Sequence, residues 1–385
     1  MRDWLLVDSS RMWLMMKKKI AIACQGGGSQ TAFTSGVLQQ LFSSGVQSSH
    51  EIVALTGTSG GALNAALAWY GMLQNAAGDS TPVHMRIENF WNELKASGPM
   101  EQWLDYIATH VMRAMGAGHL PKFENSPSSP MASIMHQAMT HLLPRNNYLD
   151  FEGLIKSHID FNAIKTLVNT QSPTLLMGAA NVLSGKMKIF SSREEQIIPE
   201  MILASAAIPS IFPAVQIGDE YYWDGLFSAN PPISAAIRKI YMGTHRFPDE
   251  IWIVMIDPIK YTKVPTSADD ILERRTQMTS NISVIHDLEK MALLSMHAKS
   301  GDLKKEYLES VGFTHAVDLS IRFIKISDVV QSQLDYSSKL SRSPQLIDSL
   351  VADGKTQAAA FMQTLSKPGL SPQEAYEAMT NSDLV

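Results

Sequence analysis

Apolar positions in this chain fall into two kinds of run that alternate. Lys19 to Cys24 is short, carries Ile20 and Ile22, and stops at three glycines, which predicts a buried strand. Thr31 to Leu41 then places Phe33, Val37, Leu38 and Leu41 at helical spacing. Ile52 to Leu55 is a second short run that meets a glycine turn, and the Ala- and Leu-rich stretch from Ala62 to Leu73 predicts a buried helix. Strand, glycine turn and helix, repeated, imply an α/β domain with a mainly parallel sheet.

Further along, residues 88 to 115 carry Phe90, Trp91, Leu94, Trp103, Ile107 and Met115 in a helical pattern. The Gly-, Ser- and Pro-rich stretch 116 to 130 predicts a long loop, of the kind that is functional or disordered. Runs at Thr174 to Val182 and Lys186 to Phe190, joined by Ser184-Gly185, predict a hairpin. Ile251 to Ile256 predicts a buried strand, residues 268 to 310 are mostly helical, and Phe313 to Ile321 predicts a late strand. Polar helices follow from Ser343. No internal repeat is visible, and Gly243 to Glu250 contains no clean linker.

Composition narrows the class. The 385 residues are 45% hydrophobic and 18% charged, which suits a soluble globular protein with a sizeable core. A net charge of -5 with no long basic stretch argues against nucleic acid as a partner. Cys24 is the single cysteine, so neither a disulfide framework nor a cysteine metal cluster is expected, and a cytoplasmic setting fits. No apolar run reaches the roughly 18 residues that span a bilayer. Lys17-Lys18-Lys19 follows the short apolar pieces at the start, the wrong order for a secretory signal. Residues 1–16 therefore read as a flexible extension or as sequence upstream of a true start near Met16. Twenty-two methionines suit core filling, with a greasy acyl-chain channel as the second reading.

Chemistry concentrates at three places. Gly57-Thr58-Ser59-Gly60-Gly61 has the form G-x-S-x-G between an apolar strand and an apolar helix. A sharp turn there lifts the Ser59 hydroxyl clear of the backbone, and the helix start directs free amides and partial positive charge at the same spot. Gly26-Gly27-Gly28 also lies between strand and helix, and its amides can join that of Gly60 in an oxyanion hole. A dinucleotide loop would need glycine where Thr31 stands, and no P-loop pattern is present. Asp224-Gly225 follows Tyr221-Tyr222-Trp223 and is by itself only a common turn.

With the intervening block from Ala204 to Val215, which holds Pro209 and Phe212-Pro213, these pieces over residues 20 to 235 resemble the patatin-like phospholipase family. The resemblance implies a patatin-like three-layer α/β fold, a mainly parallel central sheet flanked by helices. It implies a Ser-Asp dyad without histidine, with Ser59 as nucleophile, Asp224 as base and Gly26, Gly27, Gly28 as the oxyanion loop. Residues 17–260 would be the catalytic domain and 261–385 a mostly helical region packed on it. Tyr336-Ser337-Ser338-Lys339 resembles a C-terminal extension of some bacterial members. Two positions depart from the family: Gln30 stands where Arg or Lys is usual, and Leu226 where a small residue is common.

The expected reaction is acyl transfer from a lipid or another acyl ester to water, at a transiently visited membrane surface, with no metal or other cofactor. The rival enzyme is an α/β-hydrolase with a Ser-His-Asp triad, for which His286, His297 and His315 qualify by order alone. A non-enzymatic lipid-binding module that kept the turn is the third reading.

Overall fold

The computed structural model describes residues 17–120, 150–209, 211–243, 246–261, 264–304, 306–308 and 318–381. Strand β1 (Lys18–Cys24) continues through a glycine loop into α1 (Ala32–Ser43). Strand β2 (His50–Thr58) turns at once into α2 (Gly60–Ala76). Helices α3 (Val83–Leu94) and α4 (Gly98–Gly116) follow. The pattern over 88 to 115 is thus two helices rather than one, interrupted at Lys95–Ser97 before Gly98, whose φ of 77° no helix interior accepts.

The hairpin over 174 to 190 is present as β3 (Thr174–Asn181) and β4 (Met187–Ser191), paired antiparallel, with Gly185 at positive φ in the turn. Helix α5 (Pro199–Ala206) leads to β5 (Val215–Ile217) and β6 (Glu220–Asp224), two short strands that the hydrophobic pattern did not announce. Their alternation is obscured by the consecutive aromatics Tyr221, Tyr222 and Trp223. Strand β7 (Glu250–Met255) precedes the 32-residue helix α6 (Ala268–Lys299), whose start is capped by Ser267 Oγ accepting from the Asp270 amide. Strand β8 (Ser320–Lys325) lies later than the expected 313 to 321, of which 313–317 fall outside the described residues. Helices α7 (Pro344–Gln363) and α8 (Pro372–Thr380) complete the chain.

The strands form one eight-stranded sheet in the order β5-β6-β3-β2-β1-β7-β8, with β4 also on β3. The run from β3 to β8 is parallel, and β4, β5 and β6 are antiparallel additions at one edge. Period-2 side chains split β1 between two cores. Ile20, Ile22 and Cys24 join the cluster that includes Phe33, Leu67 and Ile347 on α1, α2 and α7. Ala21 and Ala23 join the opposite cluster, with Val284, Leu288 and Met291 of α6 and Met379 of α8. Helices thus cover both faces of the sheet, which is why its strands read as continuous apolar runs instead of alternating ones. In such sheets ligands sit beyond the carboxyl ends of the strands, and the loops after β1 and β2 are the glycine-rich ones.

Candidate active site

Ser59 occupies the turn from β2 to α2 with φ 56° and ψ -132°. It is the only non-glycine residue with positive φ among the described residues. A backbone in that region costs about 1–3 kcal/mol and persists only where its surroundings impose it. Here they do: the Ser59 amide donates to Ser205 O at 3.1 Å and to Ser205 Oγ at 3.0 Å, at the end of α5. Ser205 Oγ in turn donates to Gly178 O in β3 at 2.7 Å. The glycine loop crosses directly above: a β-carbon on Gly26 would lie 2.7 Å from that of Ser59 and collide with Thr58 O.

Asp224 ends β6, and sheet register brings it to Ser59. Thr58 of β2 pairs with Gly178 of β3, and the next residue of β3, Ala179, pairs with Asp224. The Asp224 amide donates to Ala207 O at 2.9 Å, so the block from Ala204 to Ala207 braces nucleophile turn and carboxylate alike. The carboxylate is buried, accepts from the Leu226 amide at 2.8 Å and lies beside the Ser59 hydroxyl. Burial pushes its pKa up to about 7, against the Ser59 hydroxyl and the Leu226 amide, which favour the charged form. Leu226 at this position contributes its backbone N–H to Asp224 and its side chain to the cavity wall.

The four glycines expected as oxyanion donors are not equivalent. The Gly26 amide donates to Asn230 Oδ1 at 2.6 Å and is therefore already engaged. Among the described residues no acceptor takes the amides of Gly27, Gly28 or Gly60. Gly28 has φ 58°, and a side chain there would strike the carbonyl of Lys339.

Gly26, Gly27, Gly28, Ser59 and Asp224 line one cavity of about 280 Å³, and Gly60 is not among its lining residues. Its apolar wall is Ile208, Pro209, Leu226, Phe227 and Leu272, and neither a methionine nor a histidine lines it among the described residues. His286 and His297 are exposed on α6, His297 facing Asp302 at 3.2 Å, and His315 lies outside the described residues. Of the long loop expected over 116 to 130, the residues beyond 120 also fall outside the described ones. Cys24 is buried and its thiol is pushed up to about 12, so it stays protonated.

Residues 22–237, more than half of the chain, match the family model described as patatin-like phospholipase. The chain belongs to the patatin-like phospholipase family. No curated protein matches this patatin-like chain. Among solved structures it is similar to the type III effector protein ExoU, at 14% identity and a TM-score of 0.34, over 89% of this chain and 53% of that one. The patatin-like chain thus spans about half the length of that protein.

Several residues of this patatin-like site escaped the sequence reading. Asn230, Ser205 and Gln25 are buried polar braces: Gln25 Oε1 accepts from the amides of Ile256 and Asp257, and its Nε2 donates to Ser280 Oγ and Asn281 Oδ1. Leu272, Arg275, Thr276 and Thr279 of α6, with Tyr336 and Lys339, line the cavity from the last third of the chain. Asn230 before two prolines and Gln25 before the glycines were visible as isolated polar residues in apolar surroundings, which is a weak signal. Tyr336 and Lys339 stand in the stretch that resembles a bacterial C-terminal extension, which gives them no role, and the remaining residues carry no signal.

Proposed function

We propose that this chain hydrolyses carboxylic esters of lipids through an acyl-enzyme on Ser59. The observation that carries the reading is the buried Asp224 carboxylate set beside the Ser59 hydroxyl in one cavity, at a strained strand-to-helix turn next to unengaged glycine amides. Asp224 takes the hydroxyl proton as Ser59 Oγ attacks the ester carbonyl. The carbonyl oxygen becomes the oxyanion and accepts from the amides of Gly27, Gly28 and Gly60. Collapse expels the alcohol, which takes the proton from Asp224. Water then attacks the acyl-enzyme, yielding its proton to Asp224, and collapse returns that proton to Ser59 Oγ as the carboxylic acid leaves. A carboxylate with an ordinary pKa near 3.9 is a weak base at neutral pH, and burial of Asp224 raises its basicity toward the working range.

The apolar wall of Ile208, Leu226, Phe227 and Leu272 suits an acyl chain, so medium and long acyl esters are the substrate class. No helix among the described residues is long and apolar enough to cross a membrane, and we assign the lipid to transient contact with a membrane surface. We further assign residues 17–260 as the catalytic unit and 261–385 as a mostly helical region packed on it, which completes the cavity wall through α6, Tyr336 and Lys339. The test is a panel of acetate, medium- and long-chain esters and phospholipids, run on wild type and Ser59→Ala side by side. Hydrolysis of the longer esters that vanishes in the mutant supports the reading. Equal rates on acetate esters, or activity that survives in Ser59→Ala, refute it.

A further inference from the structure

Lys339 is a buried ammonium that faces oxygens on three separate segments. Its Nζ donates to Gln30 Oε1 at 3.0 Å and to Glu273 Oε1 of α6 at 3.1 Å, and lies 3.6 Å from Asp257 Oδ1 just past β7. Its own carbonyl fills the space that a side chain on Gly28 would need. Gln30 is held at its other end as well, for its Nε2 donates to Ser338 Oγ at 2.9 Å and to Asp335 O at 3.1 Å. Both ends of the Gln30 amide are therefore clamped by the turn at 335–339.

That clamp acts on a loop that cannot hold itself. Gly26, Gly27 and Gly28 have no side chains with which to fix their peptide planes, and glycine has the widest backbone freedom of any residue. Their orientation must come from outside. Asn230 grips one end through the Gly26 amide. Gln30, two residues past Gly28, is the grip at the other end, and Lys339 fixes Gln30. Stability alone is a poor account of this cluster. Two carboxylates face one ammonium, and Asp257 Oδ1 and Glu273 Oε2 are buried with no hydrogen-bond partner. Packed apolar side chains are often as stable as such a buried ionic group, or more so. The cluster instead lies against the wall of the cavity, which both Asp257 and Lys339 line.

We propose that Lys339 is a positioning residue: through Gln30 it sets the orientation of the Gly27 and Gly28 amides toward the oxyanion. The proposal rests on the ester-hydrolase reading above and deepens it, since it makes a residue of the last third of the chain part of the catalytic geometry. Misplacing a catalytic group by about 1 Å costs about 100-fold in rate.

The experiment uses the full chain, a medium-chain p-nitrophenyl ester and a fluorophosphonate probe. Gln30→Met keeps the ionic trio and cuts its link to the loop. It should lower kcat about 10- to 100-fold and leave KM within about twofold, the signature of an interaction made in the transition state. Lys339→Met alone strands two buried carboxylates and endangers the fold, so it is paired with Glu273→Gln. That double variant should fold and show the same loss in kcat. If it does not fold, Gln30→Met alone decides. Folded variants with wild-type kcat overturn the proposal, and so does a loss confined to KM, which would make Lys339 a substrate contact. A wild type that neither turns over the ester nor labels at Ser59 sinks the hydrolase reading, and this proposal with it.

Discussion

The Asp224 carboxylate lies beside the Ser59 hydroxyl although β2 and β6 are not neighbours in the sheet. Strand β3 lies between them and pairs with both, so the geometry of the pair is set by the register of one intervening strand.

That pairing gives a pH dependence. In the proposed reaction Asp224 acts as the carboxylate, and burial places its pKa at about 7. The ratio kcat/KM should therefore rise with pH, reach half its maximum near pH 7 and stay level above, whereas an ordinary Asp, with a pKa of about 3.9, would level off far lower. Asp224→Asn should lower activity about 10²- to 10⁴-fold at the plateau. The sign for stability is opposite. A carboxyl held protonated by the fold loses stability as pH rises from its unfolded pKa, about 4, toward its folded one. Asp224→Asn removes that loss, so the mutant should melt above wild type at pH 8, and calorimetry reads the difference.

Strain at Ser59 separates two inactive mutants. Ser59→Ala and Ser59→Gly should both abolish fluorophosphonate labelling. At φ 56° and ψ -132° alanine keeps the β-carbon clash and glycine has none. Ser59→Gly should therefore be the more stable of the two by about 1–3 kcal/mol in urea titrations. Equal stabilities would mean that the turn is not strained.

Changing His286, His297 and His315 singly to Gln should leave most of the activity. Two of the three are exposed on α6 and none of the described histidines lines the cavity. One well-folded, inactive histidine mutant would transfer the assignment to a Ser-His-Asp triad.

A stability site lies away from the chemistry. Glu250 of β7 accepts from Arg322 Nε of β8 at 2.9 Å and from Trp252 Nε1 at 2.9 Å, with Glu250 and Arg322 both buried. Glu250→Ala leaves Arg322 without that partner and should cost about 3–5 kcal/mol, while the fraction that folds keeps wild-type kcat. Burial pushes the Glu250 pKa up, but the hydrogen bonds from Arg322, Lys18 and Trp252 outweigh it and hold it below 4.5. Its contribution is thus full above pH 4.5 and is lost as pH falls through the lower folded value. Acid unfolding of wild type and mutant should accordingly converge at low pH.

The sequence by itself determined the α/β class and the strand–glycine–helix units at 18–43 and 50–76, and it offered Ser59 from its turn, whereas Asp224 became a candidate only through the family resemblance. Those features are local. Apolar period reports burial on one or two faces, and glycines beside a serine report a turn with no room for side chains. It did not determine β5 and β6, whose short runs are too brief to show a period, or the split of 88 to 115 at Lys95–Ser97. Only the tertiary structure decided that Gly26 is engaged by Asn230, that Ser205 holds the turn, and that Lys339 reaches Gln30. Each of these is a contact between polar groups far apart in the chain. A buried polar side chain must find a partner, but nothing in its own neighbourhood says which distant segment the fold will bring to it.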